Sequence, residues 1–188
     1  MPDLTASTAL GDHVPRTVTH GGLTLEENTS RALASLTLQR GGMQPMPFGL
    51  HLPAPGGWAS SERIAALWTG VGQWMIEGEG QAETDFAGEI AAQCPGCAVT
   101  EQTDGFVSFE VRATAEASLI QALTEKLLNL NPSRLKPGMG CRTAFHHMNV
   151  FVIRRSQLQM TIMGMRSAAA SIWHELETAA ARLAVHAS

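Results

Sequence analysis

The run Phe106–Arg112 alternates clearly, with Val107, Phe109 and Val111 apolar and Ser108, Glu110 and Arg112 polar. A period of two gives a strand one apolar face, and no helix gathers those three apolar residues on one side. Within a few residues the spacing changes. Leu119, Leu123 and Leu127 recur at helical period with Ile120 beside them, and Thr114 is placed to cap that helix. A chain that switches between these two periods must lay amphipathic helices on amphipathic sheets, which is the α+β class.

The same switch recurs along the chain. Arg31–Gln39 reads as a strand that Gly41-Gly42 ends, and the proline- and glycine-rich stretch Met43–Trp58 reads as a loop with at most one short helical turn. Arg63–Trp68 and Gln73–Glu77 form a hairpin with Ile64, Ala66, Trp68, Trp74 and Ile76 inward. Thr84 is a candidate N-cap for a helix whose stripe is Phe86, Ile90 and Cys94, and Pro95-Gly96 stops it. Ala98–Gln102 is a strand, and Thr103-Asp104-Gly105 reads as a hairpin turn into Phe106–Arg112. Asn131-Pro132-Ser133 closes the second helix, and three strands are expected near 141–146, 149–155 and 158–164. Val150–Ile153 is apolar on both faces, as a central strand is. Ser167 is placed to cap a last helix with Ile172, Leu176, Ala180 and Leu183 inward. These units predict antiparallel sheets with split βαβ-type repeats and helices packed on one side. Residues 1–24 lack any period and are expected to be a flexible arm, leaving 25–188 as one domain.

Charged residues make up 16% of the chain, below the usual figure of about 25%. Lys126 and Lys136 are the only lysines among 13 basic residues. Lysine is depleted where proteins meet partners, so the balance points to a surface partly covered. A net charge of −4 with no basic cluster argues against nucleic acid, and no apolar run reaches the length of a membrane span. The start MPDLTAST has neither part of a signal peptide, and three cysteines fit a reducing compartment, so a cytoplasmic location is expected.

Few residues offer chemistry. Cys94-Pro95-Gly96-Cys97 has a thiol-exchange or zinc spacing, but Cys94 lies on an apolar stripe at a helix end, where the dipole does not favour a thiolate. His146-His147 are adjacent in an expected strand, so their side chains should face opposite ways and not share an ion. Glu77-Gly78-Glu79-Gly80 reads as a turn, Arg154-Arg155 as a solvated pair at a strand end, and Met160, Met163 and Met165 as core filling. Trp58, Trp68, Trp74 and Trp173 are expected in the core. No GxSxG, GxxxxGK[ST] or HExxH pattern occurs, so no catalytic, cofactor-binding or metal-binding residue is assigned.

From about residue 30 to 183 the order of segments resembles the gamma subunit of heterotetrameric sarcosine oxidase. The residues that carry the resemblance are LWTGVGQWMIEG (67–78), TDGFVSFEVRATAEASLIQALTEKLLNLNP (103–132), LKPGMGCRT (135–143), the strand VFVIRR, and MRSAAASIWHELETAA (165–180). Leu135 stands where that family carries Phe. The resemblance implies a fold similar to the folate-binding aminomethyltransferase (glycine-cleavage T-protein) domain over 25–188. It also implies a non-catalytic role holding alpha, beta and delta subunits in place. In that family the FAD, FMN, NAD and tetrahydrofolate sites are attributed to the larger chains and a zinc site to delta. The implied complex converts sarcosine, O2 and tetrahydrofolate to glycine, 5,10-methylenetetrahydrofolate and hydrogen peroxide. A related N-methyl amino acid dehydrogenase, a stand-alone folate-binding protein and a thiol or zinc protein using Cys94 and Cys97 stay open at this stage.

Overall fold

The structure is a computed structural model that describes residues 7–131 and 134–186. Among the described residues, eleven strands form two antiparallel sheets and three α-helices pack on them. The first sheet runs in the order β1 (Thr17–His20), β2 (Leu23–Asn28), β8 (Phe106–Ala113), β11 (Gln159–Met165), β10 (Met148–Arg154), β9 (Met139–Phe145). The second runs β4 (Trp58–Ser60), β5 (Ala65–Gly70), β6 (Gln73–Gly78), β3 (Ala32–Leu38), β7 (Cys97–Glu101). The α+β expectation with antiparallel sheets therefore holds.

Period-two alternation sends the two faces of each strand to different layers. In β8, β10 and β11 the residues Val107, Phe109, Val111, Val150, Val152, Met160 and Ile162 face outward from the sandwich. There α2 (Ala117–Leu127) and α3 (Ala169–His186) cover them with Ile120, Leu123, Ile172, Trp173 and Leu176. On the other sheet Ala34, Leu36, Ala66, Trp74 and Ile76 pack under α1 (Phe86–Gln93) through Phe86 and Ile90, with Leu50 and Leu52 from the preceding loop. The opposite faces meet each other through Leu33, Leu67, Met75, Ile153 and Met163. The order of layers is thus helices, sheet, sheet, helix.

Two details fix how the layers join. Backbone N–H of Trp58 donates to Gly138 O at 2.9 Å and N–H of Gly140 to Gly56 O at 3.0 Å, so β9 stitches one sheet to the flank of the other. Gly140 allows this approach, since a Cβ there would come within 2.5 Å of Leu67 Cδ1. The α1 cap is Asp85, whose Oδ1 accepts from Gly88 N at 3.0 Å. Thr84, the expected cap, instead donates its hydroxyl to Gln81 O.

Several sequence expectations are corrected. Residues 17–20 and 23–28 are paired strands that extend the first sheet, where a flexible arm was expected to residue 24; residues 1–6 lie outside the described residues. Thr103–Gly105 is a 3-10 turn but not a hairpin, because β7 and β8 belong to different sheets and the turn carries the chain from one to the other. The second helix begins after Glu116 rather than Thr114, and Ser167 sits inside a 3-10 turn (Arg166–Ala168) that leads into α3. Pro132 and Ser133, expected to stop the second helix, lie outside the described residues.

Candidate functional site: a charged cluster between the sheets

The apolar layer between the sheets gives way at one end to ionised side chains. Arg31, just before β3, and Glu77, at the end of β6, come from one sheet. Glu110 on β8, Thr161 on β11 and Arg155, just after β10, come from the other. Arg31 and Glu110 have 7% and 1% side-chain exposure, and Arg31 Nη1 stands 2.6 Å from Glu110 Oε1. In the reverse direction Arg155 Nη2 donates to Glu77 Oε2 at 2.5 Å, and Arg155 Nε donates to Thr161 Oγ1 at 2.5 Å. The Thr161 hydroxyl in turn donates to Glu110 Oε2 at 2.9 Å, and Gln159 Nε2 donates to the same oxygen. Trp58 closes the cluster: its Nε1 donates to Glu77 Oε1 at 3.1 Å while Arg155 stacks over its ring at 4.9 Å. Glu79, more exposed at the rim, accepts from Arg31 Nη2 at 2.9 Å and from Ser30 and Asn28.

Each sheet therefore contributes one cation and one anion; the two shortest pairs, Arg31–Glu110 and Arg155–Glu77, cross the gap, while Arg31–Glu77 at 3.4 Å and Arg155–Glu110 at 3.9 Å join residues of one sheet. Burial alone raises a carboxyl; at Glu110 the Arg31 and Arg155 charges and the Thr161 bond together outweigh it and hold the group below the usual carboxylate range. Arg31 follows the mirror logic. Burial opposes its charge, but Glu110, Glu77 and Glu79 override that and push its value upward. Both shifts move away from neutrality, which favours permanent ionisation over proton transfer at pH 7.

Beside the cluster lies a cavity of about 390 Å³ between the sheets, lined in part by Glu27, Asn28, Arg31, Thr103, Ser108 and Arg166. Glu27 is 1% exposed, and its carboxylate accepts the backbone N–H of Leu10 at 3.2 Å and of Arg16 at 3.4 Å. The N-terminal segment thus forms one wall, and Arg166 Nη2 ties it down by donating to Ser7 O at 3.2 Å.

The residues singled out in the sequence fall in three places. Arg155 and Glu77 belong to the buried cluster, not to a solvated pair and an open turn, and Arg154 is also buried, donating to Gln157 O. Cys94-Pro95-Gly96-Cys97 is a β-turn closed by Cys97 N–H on Cys94 O at 3.1 Å, with Gly96 at φ 83 supplying the left-handed residue the turn needs. Burial, with the neighbouring Cys97 charge second, pushes the Cys94 thiol up to about 11, and burial also raises Cys97 and Cys141. Such thiols are protonated at neutral pH and are poor nucleophiles. His146 and His147 are the two residues of the β9–β10 turn and not strand residues, so the opposite-faces argument does not apply to them. Trp74 and Trp173 are buried and Trp58 and Trp68 half-buried; Met160 and Met163 are in the core and Met165 is exposed.

Among the described residues no three His, Cys, Asp or Glu side chains stand within metal-ligating reach of one point, and no helix is long and apolar enough to cross a membrane. Sequence reasoning missed Arg31, Glu110 and Thr161. The available signal was ionised residues set within or directly beside otherwise apolar strands.

No protein-family model matches the chain, and no curated protein matches it either. Solved structures do. A chain of the heterotetrameric sarcosine oxidase from Corynebacterium sp. U-96, solved with pyrrole 2-carboxylate, superposes with a TM-score of 0.70 at 17% identity, covering 89% of this chain and 88% of that one. The glycine cleavage system aminomethyltransferase T from Bartonella henselae superposes with a TM-score of 0.59 at 14% identity, covering 87% of this chain but 50% of that one. The chain thus spans about half of the aminomethyltransferase and nearly the full length of the sarcosine oxidase chain, and it has the fold they share.

Proposed function

We propose that this chain is a non-catalytic, gamma-type subunit of a heterotetrameric sarcosine oxidase-like complex. The observation that carries the reading is the near end-to-end match, 89% and 88%, with one chain of such a heterotetramer, against half of an aminomethyltransferase. A charged fraction of 16% suits a part whose surface is shared with companions.

The site chemistry agrees. The cluster between the sheets has its charges locked in pairs, and the thiols are shifted towards the protonated form. In this reading FAD, FMN, NAD and tetrahydrofolate reside on the larger alpha and beta companions, and the complex acts in the cytoplasm on sarcosine or a close N-methyl amino acid. Glu27, the deepest carboxylate of the cavity, is engaged by two backbone N–H groups of its own chain.

Native mass spectrometry of the complex drawn from its own cell extract tests the proposal. The expected result is this chain in one-to-one association with larger, flavin-coloured chains that oxidise sarcosine. Recovery as a free monomer, with sarcosine oxidation intact in extracts lacking it, overturns it. Saturable tetrahydrofolate binding by the isolated chain in calorimetry favours the stand-alone folate-binding reading instead.

A further inference from the structure

Arg154 and Arg155 are neighbours in sequence with opposite surroundings. Arg155 turns between the sheets, where Glu77 and Glu110 stand 2.5 and 3.9 Å from its guanidinium. Arg154 faces the other way and continues the row of Val150 and Val152 that is buried beneath the helices. It is 6% exposed, yet among the described residues no carboxylate forms an ion pair with it, and the acceptor its guanidinium meets is Gln157 O, 2.5 Å from Nη2. Burial pulls the group below its usual value, and no anion offsets that. A charge taken out of water without a partner is costly, so buried charges are as a rule paired or given a ligand.

Arg154 lines a cavity of about 260 Å³, enclosed by Gln121 and Thr124 of α2, by Lys136 and Pro137 ahead of β9, and by Gln157 after β10. The lining holds two cations, Arg154 and Lys136, and no acidic side chain, in a chain whose net charge is −4. The Thr124 hydroxyl is engaged by Ile120 O and the Gln121 amide by Glu125. What the space offers a ligand is therefore positive charge and N–H donors. The Arg31 side of the inter-sheet cavity differs, because Glu77, Glu79 and Glu110 already surround that guanidinium.

We infer that the cavity between α2 and the segments flanking β10 binds one oxoanion of the phosphate class, held by the buried Arg154 guanidinium with Lys136 beside it. The planar fork of a guanidinium matches two oxygens of such an anion, and an ammonium adds a second point of charge. Phosphate monoesters carry about 1.5 to 2 negative charges at neutral pH, which two cations balance, whereas a single carboxylate balances one. The cavity is smaller than the roughly 300–1,000 Å³ of pockets that enclose drug-sized ligands, so it takes an anion or the phosphate group of a small molecule whose remainder stays outside. The site lies in this chain alone and does not depend on which companions the chain has.

The test is calorimetric titration of sodium phosphate into the full chain, at constant ionic strength held with sodium chloride. The expected result is one phosphate per chain, a higher melting temperature in its presence, and acetate bound about tenfold more weakly or not at all. Arg154→Met should weaken phosphate binding by about tenfold or more and abolish the phosphate-dependent rise in melting temperature. Its own melting temperature without phosphate should not fall, because the substitution removes a buried charge that has no partner. Lys136 is exposed, so Lys136→Met should leave the fold intact and weaken binding by about threefold. Arg154→Lys keeps the charge but loses the fork and should fall between the parent and R154M. Glycerol 3-phosphate binding more tightly than inorganic phosphate identifies the ligand as the phosphate group of a larger molecule; the reverse order identifies the free anion. Absence of saturable phosphate binding, acetate bound as tightly as phosphate, or unchanged affinity in both R154M and K136M overturns the inference.

Discussion

The layers beneath the helices and the layer between the sheets are both buried, yet they are filled differently. Under α2 and α3 the first sheet presents Phe109, Val111, Val152 and Ile162, and under α1 the second presents Leu36, Ala66 and Ile76; both regions are almost wholly apolar. Between the sheets, five buried apolar residues share the space with two guanidinium groups and two carboxylates. Hydrocarbon attracts without direction, so it tolerates one sheet sliding on the other. Crossed ion pairs do not, because sliding by one residue separates Arg31 from Glu110 and leaves each charge buried without its partner. The helix-covered layers supply most of the cohesion, while the charged end of the middle layer selects a single alignment.

The sharpest way to break that contrast is Arg31→Met, which leaves the buried Glu110 carboxylate without its nearest partner. Urea unfolding should show a loss of about 3–5 kcal/mol, the usual cost of stranding one member of a buried pair. The double variant Arg31→Met/Glu110→Leu should recover part of that loss, which a purely additive effect would not produce. Next, Leu123→Ala on the buried face of α2 should cost about 2–5 kcal/mol through the cavity it leaves, with no dependence on pH or salt.

The pH dependence should separate the two layers. Glu110 is held below its usual range in the folded chain, whereas the unfolded chain takes up the proton near the ordinary glutamate value of 4.5. Its contribution is therefore complete above the unfolded value and lost as pH falls through the folded one, so stability should begin to fall below about pH 5. Glu110→Gln should flatten that acid limb, and L123A should not. The smallest effect is expected for Asp85→Ala, where loss of the α1 cap should lower stability by about 1 kcal/mol at any salt concentration.

The strands and helices themselves were legible because one face of each is uniformly apolar. The expected strands at 141–146, 149–155 and 158–164 lie within two residues of β9, β10 and β11, and Ile120, Leu123 and Leu127 are the buried face of α2. What alternation cannot tell is whether the other face meets water or a second sheet. Ser108 and Glu110 read as solvent-facing, and both are buried, because the partner sheet brings its own counter-charge from Arg31. The Thr103–Gly105 turn misled for a related reason: Gly-containing turns look alike whether the chain folds back in one sheet or crosses to another, and here Leu33 N–H on Thr103 Oγ1 anchors the crossing. The β1–β2 pair was hidden because its residues pack as the edge of a sheet whose other strands lie more than 75 residues further on.

That separation has a consequence for how the molecule is born. Every strand of the second sheet falls between Ala32 and Glu101, so this half can assemble while the rest of the polypeptide is still being synthesised. The first sheet cannot. Its opening hairpin, Thr17–Asn28, must wait for Phe106–Ala113 to be translated before β2 gains its second neighbour, and that sheet is complete only when Met165 has emerged. During that interval Leu23 and Leu25 lack their final cover, and nascent chains stalled on the ribosome before β8 should be the stage most in need of chaperone protection.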